Sequence, residues 1–530
     1  MVQPLLLSLL LPVAGALIIS IPFILGVDIG RKACGFISTL ALAGSTACLA
    51  YAATQMVTTG APVREFYHIP ILTFRGELHL FADGLSLPLA LLISLLSTLS
   101  ALYSTSYIEK VEVVHLREIK ESQAYSVAYK EALVWPEYVP RRRSPLEVPS
   151  VEAYYICLLL FALSMLGTVL VTNLVHFIIL YEFVTVPTAL LVYVWGSGPC
   201  RLIAIKYFIY MLIGGVLVLA GIAWIYAETR CVDMLCLYPA MAGLHWGSLI
   251  PIFLLLLVGF GMKAAIFPLH TWLPDFHSEA PAPVSALLSG VLIKCGVYGI
   301  LRIVRPCFMP FMVEARLPLL VLSLFTILWG AVMAMMQRQI KRILAYSSIN
   351  QIGYIMLGIA SGTTVGLLGA LFHIITHGTA KGMLMLCAGS VTHTTDRRNV
   401  DELGGLAGRM PVNSSTMLLG GLSIAGVPPL AGFASEWMIF LGVIKAGYLP
   451  IALIGLASSI ITMGYYLWTI RRIFFQEIRR GLEGAHDPPF TMIVPLLVSG
   501  IILVLLGVYP QLALGLLSLY IQTTAQMGGI

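Results

Sequence analysis

Long runs of apolar residues follow one another along this chain, and short polar stretches separate them. A helix needs about 20 apolar residues to cross a hydrocarbon core of about 30 Å. Runs of that length predict fourteen membrane-spanning helices, and because this number is even, both chain ends are expected on the same side. The windows are 4–27, 33–56, 80–106, 153–173, 175–196, 204–226, 249–268, 283–305, 317–336, 343–361, 365–392, 413–443, 449–471 and 490–517.

The composition supports the same fold class. Of the 530 residues, 59% are hydrophobic and only 11% are charged, and the mean hydropathy is +0.93. A soluble domain carries about 25% charged residues, so a large soluble helical protein is excluded. The run from Pro4 to Val27 lacks a basic start and a cleavage site, so we expect a retained span and not a signal peptide. The chain is predicted to be an all-α polytopic membrane protein.

Basic residues predict the orientation of the spans. With both ends outside, the inner loops and span ends hold 21 Lys and Arg residues and the outer ones hold 7. This bias agrees with the positive-inside rule. We therefore expect both termini outside the plasma membrane of a prokaryote, with the basic loops in the cytoplasm.

The nine cysteines are scattered, and the sequence has no CxxC, HExxH or Gly-rich nucleotide loop. The sequence therefore predicts no catalytic residue, cofactor site or metal site in this chain, and no nucleic-acid partner. Cys231 and Cys236 share one polar loop. We expect two unpaired thiols there, the alternative being a disulfide if the loop faces an oxidising compartment.

Ionisable residues inside the apolar windows are the main clue to function. They are Glu182, Lys263, Lys294, the group His373, His377 and Lys381, and Glu436. A charge at mid-bilayer costs at least about 2.5–3.5 kcal/mol on insertion scales and usually marks an ion path. A single one can be a snorkelling side chain or a structural ion pair, but five windows carry such groups. Glu, Lys and His exchange protons, whereas a solute transporter would present Ser, Thr, Asn and aromatic groups around a cavity.

Two of these windows contain helix-breaking residues. Gly259, Gly261 and Pro268 are expected to interrupt the span of Lys263. Gly426, Pro428, Pro429 and Gly432 are expected to interrupt the span of Glu436. Interrupted helices in corresponding positions of two halves indicate inverted repeats, although ordinary proline kinks are the alternative. The prediction is two inverted five-helix repeats with discontinuous helices 7 and 12.

Three polar residues, His373, His377 and Lys381, are spaced four apart and so lie on one helical face. The two histidines have the spacing of metal ligands, but no carboxylate stands beside them. A proton-conducting row is therefore the preferred interpretation.

A polar segment of mixed charge, 107–152, separates the third and fourth windows. Its first part is expected to form a surface helix and its second a proline-rich strap, either docked on a neighbouring subunit or solvated without a role. The predicted division of the chain is 1–106, 107–152, 153–305, 317–471 and 472–530. Few residues follow the last window, so we expect no long lateral helix.

Four sequence runs carry a resemblance to a known family. They are KAAIFPLHTWLPDFHSEAPAPVSALLSGVLIKCGVYGILR (263–302), KRILAYSSINQIGY (341–354), FHIITHGTAKGMLMLCAGSV (372–391) and GVPPLAGFASEWMIF (426–440). They resemble the antiporter-like membrane subunits of respiratory complex I, of Mrp sodium/proton antiporters and of group 4 membrane-bound hydrogenases. The resemblance covers about residues 80 to 480. The insert at 107–152 departs from it and favours a hydrogenase-like or archaeal relative.

The resemblance implies a role for each ionisable residue. Glu182 and Lys263 correspond to a glutamate–lysine pair, and Lys294 to a lysine that relays protons. Glu436 corresponds to the terminal residue and indicates the complex I M-subunit or Mrp D-subunit type. The predicted ion path comprises Glu182, Lys263, His270, Lys294, His373, His377, Lys381 and Glu436.

The function expected from these features is proton, or sodium and proton, translocation within a multisubunit complex. The chain would hold no redox centre, and iron–sulfur clusters with NiFe or flavin centres would lie in partner subunits of a peripheral redox module. An Mrp-type cation/proton antiporter subunit is the alternative. A transporter of an unrelated solute working alone is a third interpretation.

Overall fold

The computed structural model describes residues 3–27, 29–68, 77–131, 150–241 and 246–526, and this part of the chain is almost wholly helical. The helices of the first half are α1 (Pro4–Ile24), α2 (Arg31–Thr59), α3 (Ser86–Glu131), α4 (Val151–Leu170), α5 (Leu174–Phe183), α6 (Thr185–Trp195), α7 (Cys200–Thr229), α8 (Met234–Met241), α9 (Trp246–Ala264), α10 (Trp272–Glu279), α11 (Ala282–Leu287), α12 (Ile293–Gly299), α13 (Arg305–Cys307) and α14 (Met309–Glu314). Those of the second half are α15 (Arg316–Met335), α16 (Ile340–Ala360), α17 (Thr364–Thr395), α18 (Pro411–Ile424), α19 (Ala431–Lys445), α20 (Leu449–Phe474), α21 (Phe490–Val508) and α22 (Gln511–Gln526). A short 3-10 turn (Val400–Glu402) follows α17.

The predicted all-α membrane fold is confirmed. Eleven helical segments in the described residues are long and apolar enough to cross a membrane, and each corresponds to one predicted window. The other three windows contain α9, α17 and the pair α18–α19. These three carry Lys263, the polar residues of 373–381 and Glu436, so their breaks and polar groups explain why they differ from ordinary spans.

The seventh predicted span is broken, but only at its proline. α9 ends before a turn that contains Pro268, and α10 continues after it. Gly259 and Gly261 lie inside α9, so the prediction that they interrupt the helix is wrong. Their role is close packing at Gly259, because a Cβ there would lie 2.7 Å from the carbonyl oxygen of Gly214 on α7.

The twelfth predicted span is broken where the sequence indicated. α18 ends at Ile424 and α19 begins at Ala431. Gly426 has a φ of 70°, a conformation that glycine adopts without strain, and two prolines follow it. Breaks therefore occur in both halves of the chain, while the inverted relation of the two five-helix repeats stays a prediction.

Three further irregularities were not predicted. The window 175–196 is two helices, α5 and α6, that meet at Val184. Pro187 in the first turn of α6 has no N–H to donate, which is consistent with a joint here. The segment Ala282–Cys307 contains two π-helical turns, Leu288–Leu292 and Ile300–Val304. Such turns are frequent at functional sites.

A two-stranded antiparallel hairpin, β1 (Val63–His68) and β2 (Glu77–Ala82), precedes α3 and was not predicted. The Glu65 carboxylate accepts hydrogen bonds from the backbone N–H groups of Leu5 and Leu6, both at 2.9 Å, so the hairpin caps α1. After the hairpin, Asp83 pairs with Arg302 at 2.9 and 2.6 Å. Burial raises the pKa of Asp83, but the Arg302 guanidinium, with the backbone N–H groups of Ser86 and Leu85, holds the pKa below its ordinary value.

The polar insert begins as a continuation of the third span. α3 runs without interruption from Ser86 to Glu131, so the structure shows no helix end at residue 106. The surface helix expected in the first part of the insert is therefore an extension of a membrane helix. The predicted strap falls largely on 132–149, which lies outside the described residues.

Cys231 and Cys236 form a disulfide in the structure, so the expectation of two unpaired thiols is wrong. They lie in the turn between α7 and the start of α8, where their Cα atoms are 6.6 Å apart. That separation is within the range a disulfide spans. The sequence alone did not show that this loop folds back on itself.

Candidate functional site

Glu182 and Lys263 are brought together inside the first half of the bundle. Glu182 lies in the last turn of α5 and Lys263 in the last turn of α9, so each is next to a helix break. Lys263 Nζ is 3.8 Å from Glu182 Oε1, and their side chains are 2% and 29% exposed. Lys263 also donates to the backbone carbonyl of Tyr181 and lies 3.4 Å from the centre of its ring. The ammonium is thus held by a carboxylate, a carbonyl and an aromatic face.

Gly215 on α7 makes room for the Glu182 carboxylate. A Cβ at residue 215 would overlap the carboxyl group of Glu182. The lack of a side chain at this position therefore lets Glu182 reach its place beside Lys263.

Lys294 is fully buried, and an irregular turn provides its hydrogen-bond acceptor. It donates to the carbonyl of Ser289, which lies in the π-helical turn that precedes α12. The Ser289 hydroxyl is 2.7 Å from that of Ser348 on α16. Lys294 is thereby linked to the second half of the chain.

Along α17, the three predicted polar residues have different surroundings. Lys381 donates to the carbonyl of Leu344 and to the hydroxyl of Tyr466, both at 2.8 Å. The rings of His373 and His377 are stacked, with their centres 5.8 Å apart. Neither ring nitrogen of His377 has a hydrogen-bond partner among the described residues.

His373 links α17 to the break in the twelfth span. Its ring nitrogens lie 2.9 Å from the Ser435 hydroxyl and 2.7 Å from the amide oxygen of Gln351. The next residue along α19, Glu436, is 4% exposed, and its Oε2 accepts from Ser459 at 3.0 Å. Its other oxygen has no hydrogen-bond partner in the described part of the chain.

The π-helical turn that precedes Lys294 packs against α17, since a Cβ at Gly378 would lie 2.7 Å from the carbonyl oxygen of Gly290, so Lys294 lies where the two halves meet. On its other side, α12 packs against the end of α9 that carries Lys263, since a Cβ at Gly296 would lie 2.7 Å from the backbone nitrogen of Ala264. The predicted residues consequently form a row from Glu182 and Lys263, through Lys294 and α17, to Glu436.

His270 departs from this row. Its Nε2 accepts a hydrogen bond of 2.9 Å from Trp329 on α15, and its ring stacks on Phe267. Within the described residues it makes no hydrogen bond to the other predicted residues of the path. Its place in the path stays a prediction.

Two candidate residues were missed from the sequence, His277 and Lys341. His277 on α10 is fully buried, and neither ring nitrogen has a partner in the described part of the chain. Lys341 on α16 is half-buried and donates to the Ala280 carbonyl at 2.6 Å. His277 lies in the quoted run 263–302 beside acidic residues, and Lys341 looked like one more basic loop residue.

The described residues contain no cluster of three or more His, Cys, Asp or Glu side chains suited to a metal ion. The side chains of the row are of types that can gain and lose protons. A membrane bundle with two broken helices and such a row defines the class of ion-translocating membrane subunits.

Comparison with known proteins identifies the family. Residues 171–462 match the family described as "NADH:quinone oxidoreductase/Mrp antiporter, TM". NADH-quinone oxidoreductase subunit N of Desulforudis audaxviator (strain MP104C) is 32% identical over 400 residues, covering 72% of this chain and 78% of that protein. Subunit M of Rickettsia prowazekii (strain Madrid E) is 30% identical over 328 residues, covering 62% and 67%. The chain belongs to this family of antiporter-like membrane subunits.

Solved structures share the fold. A chain of respiratory complex I from Thermus thermophilus has a TM-score of 0.78 at 24% identity, covering 97% of this chain and 99% of that one. A chain of the Mrp complex from Dietzia sp. DQ12-45-1b scores 0.79 at 20% identity, with 99% and 100% covered. A chain of the membrane-bound sulfane sulfur reductase, an archaeal respiratory membrane complex, scores 0.79 at 25% identity, with 96% and 76% covered. All three belong to complexes, as the sequence analysis expected for this chain.

Proposed function

We propose that this chain translocates protons as an antiporter-like subunit of a redox-driven membrane complex. The observation that carries the proposal is the row of ionisable groups from the part-exposed Glu182 to the buried Glu436, which crosses from one broken helix to the other. The relatives described above are named as subunits of NADH-quinone oxidoreductases, which favours the redox-driven form over the Mrp-type antiporter. Iron–sulfur clusters and flavin or NiFe centres would then belong to partner subunits.

The Glu182–Lys263 pair supplies the switch in this proposal. Opposite charges 3.8 Å apart attract by about 4 kcal/mol at an effective dielectric constant near 20. When Glu182 moves away, the buried ammonium loses that stabilisation, and Lys263 releases its proton toward Lys294. When Glu182 returns, Lys263 takes up a proton again.

The position of Glu182 supports control by a neighbouring subunit. Its side chain is 29% exposed, and the flanking Ile179 and Phe183 are 57% and 37% exposed. A carboxylate on an apolar surface at membrane depth is costly in contact with lipid. A partner subunit that covers this surface would both protect the carboxylate and shift it.

The orientation with both termini outside the plasma membrane also remains part of the proposal. The distribution of basic residues supports it. So does the Cys231–Cys236 disulfide, because the same topology puts that loop on the outer, oxidising side.

The experiment is to purify the complex that contains this chain, record its visible spectrum and measure proton movement in inverted vesicles. Iron–sulfur absorbance, together with acidification driven by an electron donor such as NADH, is the expected result. A complex without redox centres that moves protons only against a sodium gradient would replace the proposal with the Mrp-type function. Transport of another solute by the isolated chain would contradict both.

A further inference from the structure

A disulfide closes the short segment that joins α7 to the first turn of α8. Cys231 and Cys236 are its two ends, and residues 231–236 are called the disulfide loop below. Cys231 is buried, whereas Cys236 is exposed, so a reagent in water can reach one sulfur of the bond. Asp233 lies inside the loop, and its Oδ1 accepts a hydrogen bond of 2.8 Å from the backbone N–H of Leu235. Its other carboxylate oxygen, Oδ2, contacts groups outside the loop.

The disulfide loop holds the segment that leads into α5. Asp233 Oδ2 accepts a hydrogen bond of 2.6 Å from the hydroxyl of Thr172. The backbone N–H of Leu174 donates to the Val232 carbonyl at 2.8 Å. In return, the backbone N–H of Met234 donates to the Thr172 carbonyl at 2.9 Å, which completes a short antiparallel pairing. Leu174 is the first residue of α5, so the loop is joined to the start of this helix.

The other edge of the same segment is held by β2 of the hairpin. The backbone N–H of Thr172 donates to the His79 carbonyl at 3.2 Å. Next to this bond, Leu80 and Val171 form an antiparallel bridge. The His79 ring also reaches the disulfide loop, because its Nδ1 lies 3.3 Å from Asp233 Oδ2. The start of α5 is thereby held between β2 and the disulfide loop, and the Asp233 carboxylate contacts both of its neighbours.

The far end of α5 carries the Glu182 carboxylate. Glu182 lies eight residues after Leu174, which is about 12 Å of helix. α5 meets α6 at Val184 and is a separate helix, so no longer span holds its direction. A shift at the start of α5 is therefore transmitted along the helix to the Glu182 carboxylate, which lies 3.8 Å from Lys263 Nζ.

We propose that the disulfide loop positions α5 and, through it, Glu182, so that reduction of the disulfide slows proton transport. The inference rests on the proposed proton-translocating function and adds a regulatory element to the Glu182–Lys263 pair. An external dithiol supplies two electrons and two protons, the sulfur–sulfur bond breaks, two cysteine thiols form, and the dithiol becomes a disulfide. The opened loop gains conformational freedom, and Asp233 loses its fixed position beside Thr172. Glu182 then leaves its place beside Lys263.

The first test reduces the disulfide after the whole complex has assembled. Inverted vesicles are treated with dithiothreitol, a dithiol that crosses the membrane, and proton transport is measured once the reagent has been removed. The wild-type complex should lose most of its transport and recover it when the permeant oxidant diamide re-forms the disulfide. A variant with both Cys231→Ser and Cys236→Ser should transport slowly from the start and should not respond to dithiothreitol. Cys48→Ser, which removes a thiol from α2, is the matched control and should behave like the wild type.

The second test removes the contact between Asp233 and Thr172 and leaves the disulfide intact. Thr172→Val has nearly the same shape but no hydroxyl, so it should lose part of its transport while the complex still assembles on a native gel. Thr172→Ser keeps the hydroxyl and should transport like the wild type. Thr58→Val, at the exposed end of α2, is the matched control, because the Thr58 hydroxyl donates to carbonyls of its own helix.

Glu182→Asp distinguishes a positioning role from a general loss of stability. The shorter carboxylate of this variant is already displaced from Lys263. Thr172→Val should therefore lower its remaining transport by a smaller factor than it lowers that of the wild type, since effects that act through one group do not add. Equal factors would show that the disulfide loop acts elsewhere and would overturn the inference.

Two further results would overturn the inference. One is unchanged transport by the reduced wild-type complex, and the other is loss of assembly in parallel with transport, which would show a structural cross-link only. Lys263→Ala, measured in the same vesicles, separates these outcomes from failure of the proposed function. If Lys263→Ala transports at the wild-type rate, the proposed function is wrong. If Lys263→Ala is inactive while the reduced complex transports normally, only the role of the disulfide loop is wrong.

Discussion

Lys263 is the residue at which charge, burial and backbone irregularity coincide. Its side chain is 2% exposed, its carboxylate partner is 3.8 Å away, and α9 ends one residue later. The Glu182 carboxylate, the Tyr181 carbonyl and the Tyr181 ring would also hold a permanently charged side chain at residue 263. In the proposed relay, however, only a group that can lose its proton can pass that proton on to Lys294.

We therefore expect Lys263→Ala to abolish proton transport while the complex still assembles. Lys263→Arg should also fail, because a guanidinium stays protonated. Dye quenching in inverted vesicles measures transport, and a native gel measures assembly. Transport at the wild-type rate in either variant would contradict the relay.

Glu182 distinguishes a switch from a structural ion pair. Breaking a buried pair typically costs 3–5 kcal/mol, so a purely structural Glu182 predicts that Glu182→Gln mainly loses assembly. A switch predicts that the glutamine variant assembles but does not transport, and that Glu182→Asp, one methylene shorter, transports in part. We expect the order wild type, Asp, Gln for transport and nearly equal assembly. Parallel losses of transport and assembly would show a structural pair.

At this scale the sequence identified most of the row, because a charged residue within an apolar window stands out without any structure. Lys263, Lys294 and Glu436 were found in this way. His277 and Lys341 were missed because they stand among polar neighbours, and only the packing of α10 against α16 shows that His277 is buried and Lys341 half-buried. The pairing of Cys231 with Cys236 depends on the path of a loop, which the pattern of apolar residues does not describe.

At the scale of helices, the approach of α7 to α5 determines where the Glu182 carboxylate lies. A methyl group at residue 215 would overlap that carboxylate, which is the far end of a flexible side chain and can turn aside without moving the backbone. In a helix, alanine is also more favourable than glycine by about 1 kcal/mol. A substitution here should thus move Glu182 without unfolding α7.

We expect Gly215→Ala to assemble normally and to lose most of its proton transport. Gly464→Ala is the matched control, since a Cβ at that position of α20 would meet no atom within 4 Å. Both variants are compared for thermal stability of the purified complex and for transport. Equal transport by the two would mean that the position of Glu182 is not critical.

Helix breaks were predictable only where proline and glycine cluster. Pro268 and the residues from Gly426 to Pro429 indicated the breaks in the seventh and twelfth spans. The π-helical turn at Leu288–Leu292 has no such signal, since any residue can occupy an inserted position. The sequence therefore predicted that Lys294 is buried but not how its ammonium reaches the Ser289 carbonyl.

For the whole molecule, the direction of the proposed path depends on the topology. The cavity lined by Arg398 and Lys341 opens to the cytoplasm only if the face with the basic loops is the inner one. The β1–β2 hairpin and the disulfide loop lie together in another part of the structure, where His79 Nδ1 is 3.3 Å from Asp233 Oδ2. The positive-inside rule predicts that the face with the basic loops is cytoplasmic.

Cysteine labelling measures this topology directly. Gly484 and Thr59 are exposed residues in regions that the assigned topology puts on the inner and outer faces. We expect Gly484→Cys to react with a membrane-impermeant maleimide in inverted vesicles and Thr59→Cys to react in intact cells. The unsubstituted chain is the control for its native thiols, and a Ser144→Cys variant, at a position outside the described residues, extends the test to the polar insert. Labelling of Gly484→Cys in intact cells would contradict the predicted orientation and reverse the direction of the proposed path.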